Sequence, residues 1–526
     1  MRIFYPGTAF GGPELRLDQL EAIWRIQREI TTGSKGVLVG AGMGSGKTVV
    51  SVEVIRQTKL DRVLIVGVRD AYSQWKQTFE EQGELRPLLQ INGSVPGQDN
   101  MQRLLDGDPG LFYVGLEMLR TADWETKVSE TYPVHPSIKA FFGEEIGDET
   151  EGVKRPVQKH AYASMKPVDL LISDESHKHS NQKSASIKTV RDIPTLAKVA
   201  LSGTFFGNKF ENAHSLCTWI WDKATIGSKA RFERDYCVKV PLVSKAGKQV
   251  TTKGGFPLSK ILGEREPGEF VETLPCYVFI ATPIGPVPKP EVVKVPLRKE
   301  QSRQYREMET QSLTWVPTSI SSKRAPLIAD LPLTQRIRLR TAALGAMTMI
   351  PGMDEENPDS ITFDANCESS TLDTAYAILH RPSWVGKKAL ILTHSKPFAE
   401  EVARRIAQKY TVALKTGDTK NWDVDKARFM APVSETDSIQ YLVAVISAVG
   451  TAMDGLQANC AKVLWLSEDD NNVNNIQGSN RIWRQGVDLS EYEAVKIVQK
   501  DTIAEGVLKK NNAHQRSTMD SVAGIK

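Results

Sequence analysis

The sequence predicts an α/β protein built from two parallel-sheet blocks, and three observations carry that expectation. Short apolar runs alternate with helix-like segments along the first part of the chain. The alternation breaks between about Trp219 and Arg381 and resumes near Lys387. A glycine-rich loop follows the first apolar run. Brief runs rich in Val, Leu and Ile suit strands covered on both faces, and their alternation with helices suits a parallel sheet.

In the first block the expected strands are Gly36–Gly40, Arg62–Val68, Leu111–Gly115, Asp169–Ser173 and Lys198–Ser202. In the second they are residues 387–393, 411–415, 441–447, 461–467 and 493–499. These divide the chain into a first lobe over 1–225, a linking region with helical pieces and insertions over 226–380, and a second lobe over 381–526. Two segments look inserted, 125–167 and 241–262. Both read as exposed loop; the second, with four lysines and three glycines, also reads as a basic flap on a phosphate backbone.

Composition narrows the classes. The 526 residues are 40% hydrophobic and 25% charged, as in globular chains. No apolar stretch reaches bilayer length, and the first residues lack the apolar run of a leader. The five cysteines, Cys217, Cys237, Cys276, Cys367 and Cys460, form no C-x-x-C pair, which argues against a disulfide framework or zinc ribbon and for a reducing cytoplasm. A net charge of +4 announces no polyanion partner, so any such surface must be local.

The chemistry begins at Ala41-Gly42-Met43-Gly44-Ser45-Gly46-Lys47-Thr48, between a strand-like and a helix-like segment. Glycines there let backbone N–H groups turn inward around phosphate oxygens, and the helix that follows adds its positive end. Gly42 through Thr48 are therefore the expected ATP-binding residues. Lys47 would reach the β- and γ-phosphates and Thr48 would ligate Mg²⁺. Asp174 and Glu175 close the strand-like run before them. Asp174 is the expected Mg²⁺ holder, through water, and Glu175 the group that orients and deprotonates the attacking water. His177 reads as a sensor between this site and a nucleic-acid groove, rather than as half of a metal pair with His179.

Further residues resemble superfamily 2 DEAD/DEAH-box helicases, above all the Swi/Snf-type translocases. Leu201-Ser202-Gly203-Thr204 with Asn208 resembles motif III, Gln477 to Gly486 resembles motif VI, and Leu15 to Gln19 resembles the adenine-reading motif. Weaker likenesses lie at Val63–Trp75, Val114–Arg120, Gly450–Gln457 and Asp501–Glu505, in the family's order. Phe205, Trp483 and Val487 depart from it, standing where proline, histidine and glutamine are usual. The short chain is more similar to phage or bacterial single-polypeptide members.

The resemblance implies two RecA-like lobes and a DNA helicase or translocase that hydrolyses ATP with Mg²⁺. Duplex or branched DNA is the favoured track in replication, recombination or repair, with RNA as the alternative. A strand-separating helicase and a non-hydrolysing DNA-binding scaffold are the rival readings. A monomer in the cytoplasm of a bacterial or phage-infected cell, without a membrane partner, is expected. By residue, Gln19 would read adenine, and Asp454 and Gly455 would join the nucleotide site. Gln477, Arg481 and Arg484 would act in catalysis, the two arginines from one helical face. Ser202 and Thr204 would couple with His177. Arg69, Arg120, Ser395, Lys396 and Thr451 would contact nucleic acid.

Overall fold

The computed structural model describes residues 15–42, 44–119, 165–180, 184–203, 209–243, 248–251, 255, 257–281, 284–319, 321–352, 360–419, 422–449, 453 and 455–523. Met43, Arg120, Thr204, Phe205, Asn208, Thr451 and Asp454 lie outside the described residues, as does nearly all of the insertion at 125–167.

The chain divides into two units, one reaching Thr282 and the other running from Pro283 to Arg516. In the first, the strands are β1 (Gly36–Ala41), β2 (Arg62–Gly67), β3 (Leu88–Ile91), β4 (Gly110–Gly115), β5 (Val168–Ser173) and β6 (Thr195–Ser202). An antiparallel ribbon follows, β7 (Cys237–Pro241) with β8 (Ser259–Glu264), and then β9 (Tyr277–Ile280). All but the ribbon form one sheet in the order β3-β4-β2-β5-β6-β1-β9, and its pairs are parallel. β1 and β2 are buried along their whole length, as a sheet with both faces covered requires.

The second unit holds β10 (Glu291–Val295), the hairpin β11 (Leu313–Thr318) and β12 (Ser321–Ile328), then β13 (Thr348–Ile350) and β14 (Ser360–Thr362). After these come β15 (Ala389–Thr393), β16 (Val412–Lys415), β17 (Tyr441–Val445), β18 (Lys462–Trp465) and β19 (Glu493–Gln499). The main sheet, β10-β19-β18-β15-β17-β16, is parallel throughout. A separate small sheet takes the order β12-β11-β13-β14. Two RecA-like α/β lobes are thus present. The stretch 226–380 supplies β9 to the first sheet and β10 to the second, besides the small sheet.

The parallel order fixes where the chemistry falls. The loops after β1 and β5 leave the same edge of the sheet, with only β6 between them. Close packing holds β1 against β6. A Cβ on Gly36 would stand 2.5 Å from the Lys198 carbonyl oxygen and 2.8 Å from Ile220 Cγ2. Gly36→Ala is therefore expected to force the two strands apart and cost about 1–3 kcal/mol. Denaturant unfolding checks this, and an unchanged midpoint would show that the contact can relax.

Candidate nucleotide site

β1 runs into a turn in which Gly44 and Gly46 take φ of +73° and +87°. Side chains rarely adopt this conformation, and it curls the backbone inward. The Ser45 N–H closes the turn on the Gly42 carbonyl at 3.1 Å, and the Gly42 N–H reaches the Ile280 carbonyl of β9 at 3.3 Å. The helix Lys47–Thr58 starts directly behind, with Thr48 buried in its first turn. Ser45 Oγ is buried with no hydrogen-bond partner among the described residues. An inward-curled glycine turn, a helix N-terminus, a lysine and an unsatisfied hydroxyl suit a phosphate group.

Three residues near the start of the first lobe brace this turn. Gln19 Nε2 donates to the Ser45 carbonyl at 2.9 Å, while its Oε1 accepts from the Arg16 N–H at 3.0 Å. The Arg16 guanidinium donates to the same Ser45 carbonyl at 2.9 Å and to the Ala281 carbonyl at 3.1 Å. Asp18 pairs with Arg16 at 3.1 Å and accepts from the Ala281 N–H at 3.2 Å. Gln19 packs so tightly that a Cβ on Gly46 would fall 2.3 Å from its amide nitrogen.

Lys47 Nζ lies 3.2 Å from Asp174 Oδ1 and 3.0 Å from Glu175 Oε1. Burial opposes the ammonium charge, but the two carboxylates outweigh it and raise the lysine pKa. Burial likewise pushes Glu175 upward, and Lys47 and His177 together hold its carboxyl well below the usual range. The Trp75 indole N–H donates to Asp174 Oδ2 at 3.2 Å, so both oxygens of this carboxylate are engaged. Glu175 has φ +52°, a left-handed conformation uncommon outside glycine. It is held in a tight turn: its N–H donates to Asp174 Oδ1 at 2.9 Å, and its carbonyl accepts from the Lys178 N–H at 3.0 Å. Backbone strain of this kind concentrates at functional sites.

His177 Nδ1 lies 3.2 Å from Glu175 Oε2 and 3.3 Å from Ser202 Oγ. Ser202 ends β6, the strand between the two loops, so the sheet order itself brings the three together. His179 turns into the core, where Nε2 meets Ser173 Oγ at 2.8 Å and the ring packs 4.2 Å from Trp219. Burial, with the Arg191, His177 and Lys198 charges, lowers its pKa to about 3 and keeps it neutral.

In the second unit, Gln477 lies in the helix Asn472–Ser479. The expectation of a helical face carrying both arginines is not met. The helix closes at Ser479, and Arg481 and Arg484 follow in turns. These turns are held by i→i−3 bonds, such as Arg481 N–H to the Gly478 carbonyl at 3.3 Å. Arg484 Nε donates to the Asn480 carbonyl at 2.6 Å. Trp483, which stands where the resembled motif has histidine, has local partners. Its indole donates to the Gly285 carbonyl at 3.0 Å, and its ring meets Tyr492 at 4.7 Å, so it packs locally. Gly455 has φ +92°.

The residues expected to touch nucleic acid are dispersed. Arg69 is exposed in a short turn, Arg69–Ala71, after β2. Ser395 caps the helix Lys396–Ile406, its hydroxyl accepting from the Phe398 N–H at 3.4 Å. Lys396 is exposed and paired with Asp418. Sequence reasoning missed the bracing roles of Arg16 and Asp18 and the indole bond from Trp75. All three lie inside segments it had singled out, but their partners are 29 to 265 residues away along the chain.

Fold and site define a phosphate-loop protein with two RecA-like lobes. Residues 12–207 match the family model described as type III restriction enzyme, res subunit. The SNF2 domain-containing protein CLASSY 4 of Arabidopsis thaliana is 24% identical over 208 residues. That match covers 38% of this chain but only 17% of the plant protein. Among solved structures, the Sulfolobus solfataricus SWI2/SNF2 ATPase core in complex with dsDNA aligns with all of this chain and 97% of its own. Its identity is 14% and its TM-score 0.39. The chain is thus similar, over part of its length, to the res-subunit family model and to a SNF2 domain-containing protein.

The brace makes one residue decisive for the turn's shape. Gln19→Ala removes both amide bonds, each contributing about 0.5–1.5 kcal/mol. Nucleotide titration should show affinity weakened by roughly tenfold, and an unchanged affinity would mean that Arg16 alone sets the turn.

Proposed function

We propose that this chain is an ATP-driven motor that moves along DNA, with duplex or branched DNA as its track. It would work as a monomer in the cytoplasm of a bacterial or phage-infected cell. Among the described residues, no helix is long and apolar enough to cross a membrane. The reading rests above all on the continuous chain Lys47–Glu175–His177–Ser202, which ties the phosphate loop to the end of β6.

That chain assigns the work. Lys47 exchanges its two carboxylates for the β- and γ-phosphates of ATP, which carry comparable negative charge. Glu175, no longer neutralised by Lys47, accepts a proton from the attacking water. His177 senses the charge on Glu175 and passes the change to Ser202, and with it to the segment containing Thr204. Trp75 keeps Asp174 oriented throughout. A divalent cation such as Mg²⁺, held by Thr48 and Asp174, would neutralise phosphate charge when bound. Gln477, Arg481 and Arg484 are proposed to complete the catalytic set, with the arginines stabilising charge on the transferred phosphoryl group. Gly42, Met43, Gly44, Ser45, Gly46, Asp454 and Gly455 would line the nucleotide. Arg69, Arg120, Ser395, Lys396 and Thr451 would hold the track through its phosphates, which makes binding salt-sensitive and largely sequence-independent.

The direct test measures ATP turnover with duplex DNA, branched DNA, single-stranded DNA and RNA in parallel. Strongest stimulation by duplex or branched DNA is expected; stimulation by RNA alone would overturn the track. Glu175→Gln should lower turnover by about 10²–10⁴-fold while nucleotide still binds. Turnover at the parental rate would remove Glu175 from the chemistry.

A further inference from the structure

In the second unit a single hydroxyl joins two segments to which the proposed function gives different tasks. β15 and β18 are parallel neighbours, so both end at the same edge of their sheet. β15 leads through Thr393 and His394 to Ser395 and the helix Lys396–Ile406, the segment assigned to the track. β18 leads through Ser467 and residues 468–471 to the helix Asn472–Ser479. That helix carries Gln477, and the turns after it carry Arg481 and Arg484.

Ser467 Oγ bridges the two exits. It lies 3.1 Å from Thr393 Oγ1 and 2.7 Å from His394 Nδ1, and it accepts from the His394 N–H at 3.1 Å. A hydroxyl has one proton and two lone pairs, so three partners use its full capacity. Thr393 and Ser467 are both buried. On the track side, Thr393 Oγ1 accepts from the Ser395 N–H at 3.4 Å. On the other side, the Asp469 N–H donates to Asn475 Oδ1 at 2.7 Å, and Asn475 Nδ2 donates back to the Asp469 carbonyl at 2.9 Å. Hydrogen bonds and a few residues of backbone therefore run from Ser395 to the helix of Gln477.

The bridge differs from what surrounds it. Next to Ser467, Glu468 is ion-paired with Lys496 and Asp470 with Arg340, the latter at 2.6 Å. Those charges pin the loop. The bridge has no charge to pin it: burial first, and then the Arg340 charge, lower the His394 pKa to about 3, so its ring is neutral. A cavity of about 30 Å³ borders His394 and Ser467, enough for a water or two. Neutral groups beside free volume can shift at a cost that an ion pair in a packed core does not allow.

We propose that Ser467 is a positioning residue that transmits track occupancy at Ser395 to the segment carrying Gln477, Arg481 and Arg484, so that DNA accelerates ATP turnover through the second lobe. A phosphate held at the start of the helix Lys396–Ile406 fixes Thr393 to Ser395. The Ser467 hydroxyl follows them, and Asp469 and Asn475 carry the change into the next helix. The inference rests on the reading of the chain as a DNA-driven ATPase. It adds a route separate from the one through His177 and Ser202.

The experiment measures ATP turnover of the full chain with and without saturating duplex DNA, beside duplex affinity by anisotropy and thermal unfolding. The parent is compared with Ser467→Ala, Ser467→Thr, Thr393→Val and the double variant S467A/T393V. Ser467→Ala should lower DNA-stimulated turnover by about fivefold to tenfold, the size expected of one coupling contact, with basal turnover and duplex affinity unchanged. Ser467→Thr keeps the hydroxyl and should keep most of the stimulation. Thr393→Val breaks the bridge from its other side, and the double variant should lose little more than Ser467→Ala alone. If DNA does not stimulate the parent, the motor reading itself fails. If the parent is stimulated and Ser467→Ala is stimulated equally, the Ser467 proposal fails alone. Equal losses of basal and stimulated turnover, or loss of a cooperative unfolding transition in both single-site removals, would make the hydroxyl a structural bond and overturn the proposal.

Discussion

Everything chemical in the first lobe depends on one buried cation shared by two carboxylates. Lys47 lies between Asp174 and Glu175, and its charge is largely removed from water. A buried ammonium is costly unless paired, and a buried carboxylate pair repels itself unless a cation stands between. Each side of this arrangement therefore makes the other tenable. It also makes the arrangement responsive, because a phosphate that takes Lys47 leaves two carboxylates with uncompensated charge. A divalent cation at Asp174 and proton acceptance at Glu175 both relieve that charge.

The fold holds these groups together through strand order rather than through neighbouring sequence. Lys47 and Glu175 are 128 residues apart. They meet because β1 and β5 are parallel and separated only by β6, so their loops leave one edge of the sheet. β6 then delivers Ser202 within reach of His177. The phosphate turn is secured independently, by Gln19 and Arg16 on its Ser45 carbonyl and by Asp18 and Arg16 on Ala281. Two supports from different parts of the chain fix one short loop, which suits a site whose geometry must survive exchange of its charge partners.

Much of this was legible in the sequence because the strands that matter are short, apolar and buried on both faces. The runs at Gly36, Arg62, Asp169 and Lys198 each became strands within three residues of the expected bounds. β3 and β9 were not anticipated. β3 is a four-residue strand whose middle residues are only partly buried, and β9 has an exposed Phe279 amid its apolar run, so neither gives a clean signal. The phosphate loop and the acidic pair were legible because their chemistry is local. The brace from Arg16 and Asp18 and the indole bond from Trp75 were not, since sequence order carries no trace of contacts between distant segments. The two arginines after Ser479 show a different limit. Their spacing of three suited a helical face, but the helix ends before them, and backbone termination was not readable from spacing alone.

The ion-paired Lys47 is the claim on which the nucleotide reading stands, and calorimetric titration of a non-hydrolysable ATP analogue with Mg²⁺ tests it most directly. The parent chain should bind the analogue, and Lys47→Ala should lose most of that affinity while its unfolding transition remains cooperative. If Lys47→Ala binds the analogue as tightly as the parent, the ammonium is only a structural counter-ion to Asp174 and Glu175, and the account of its exchange onto phosphate is wrong.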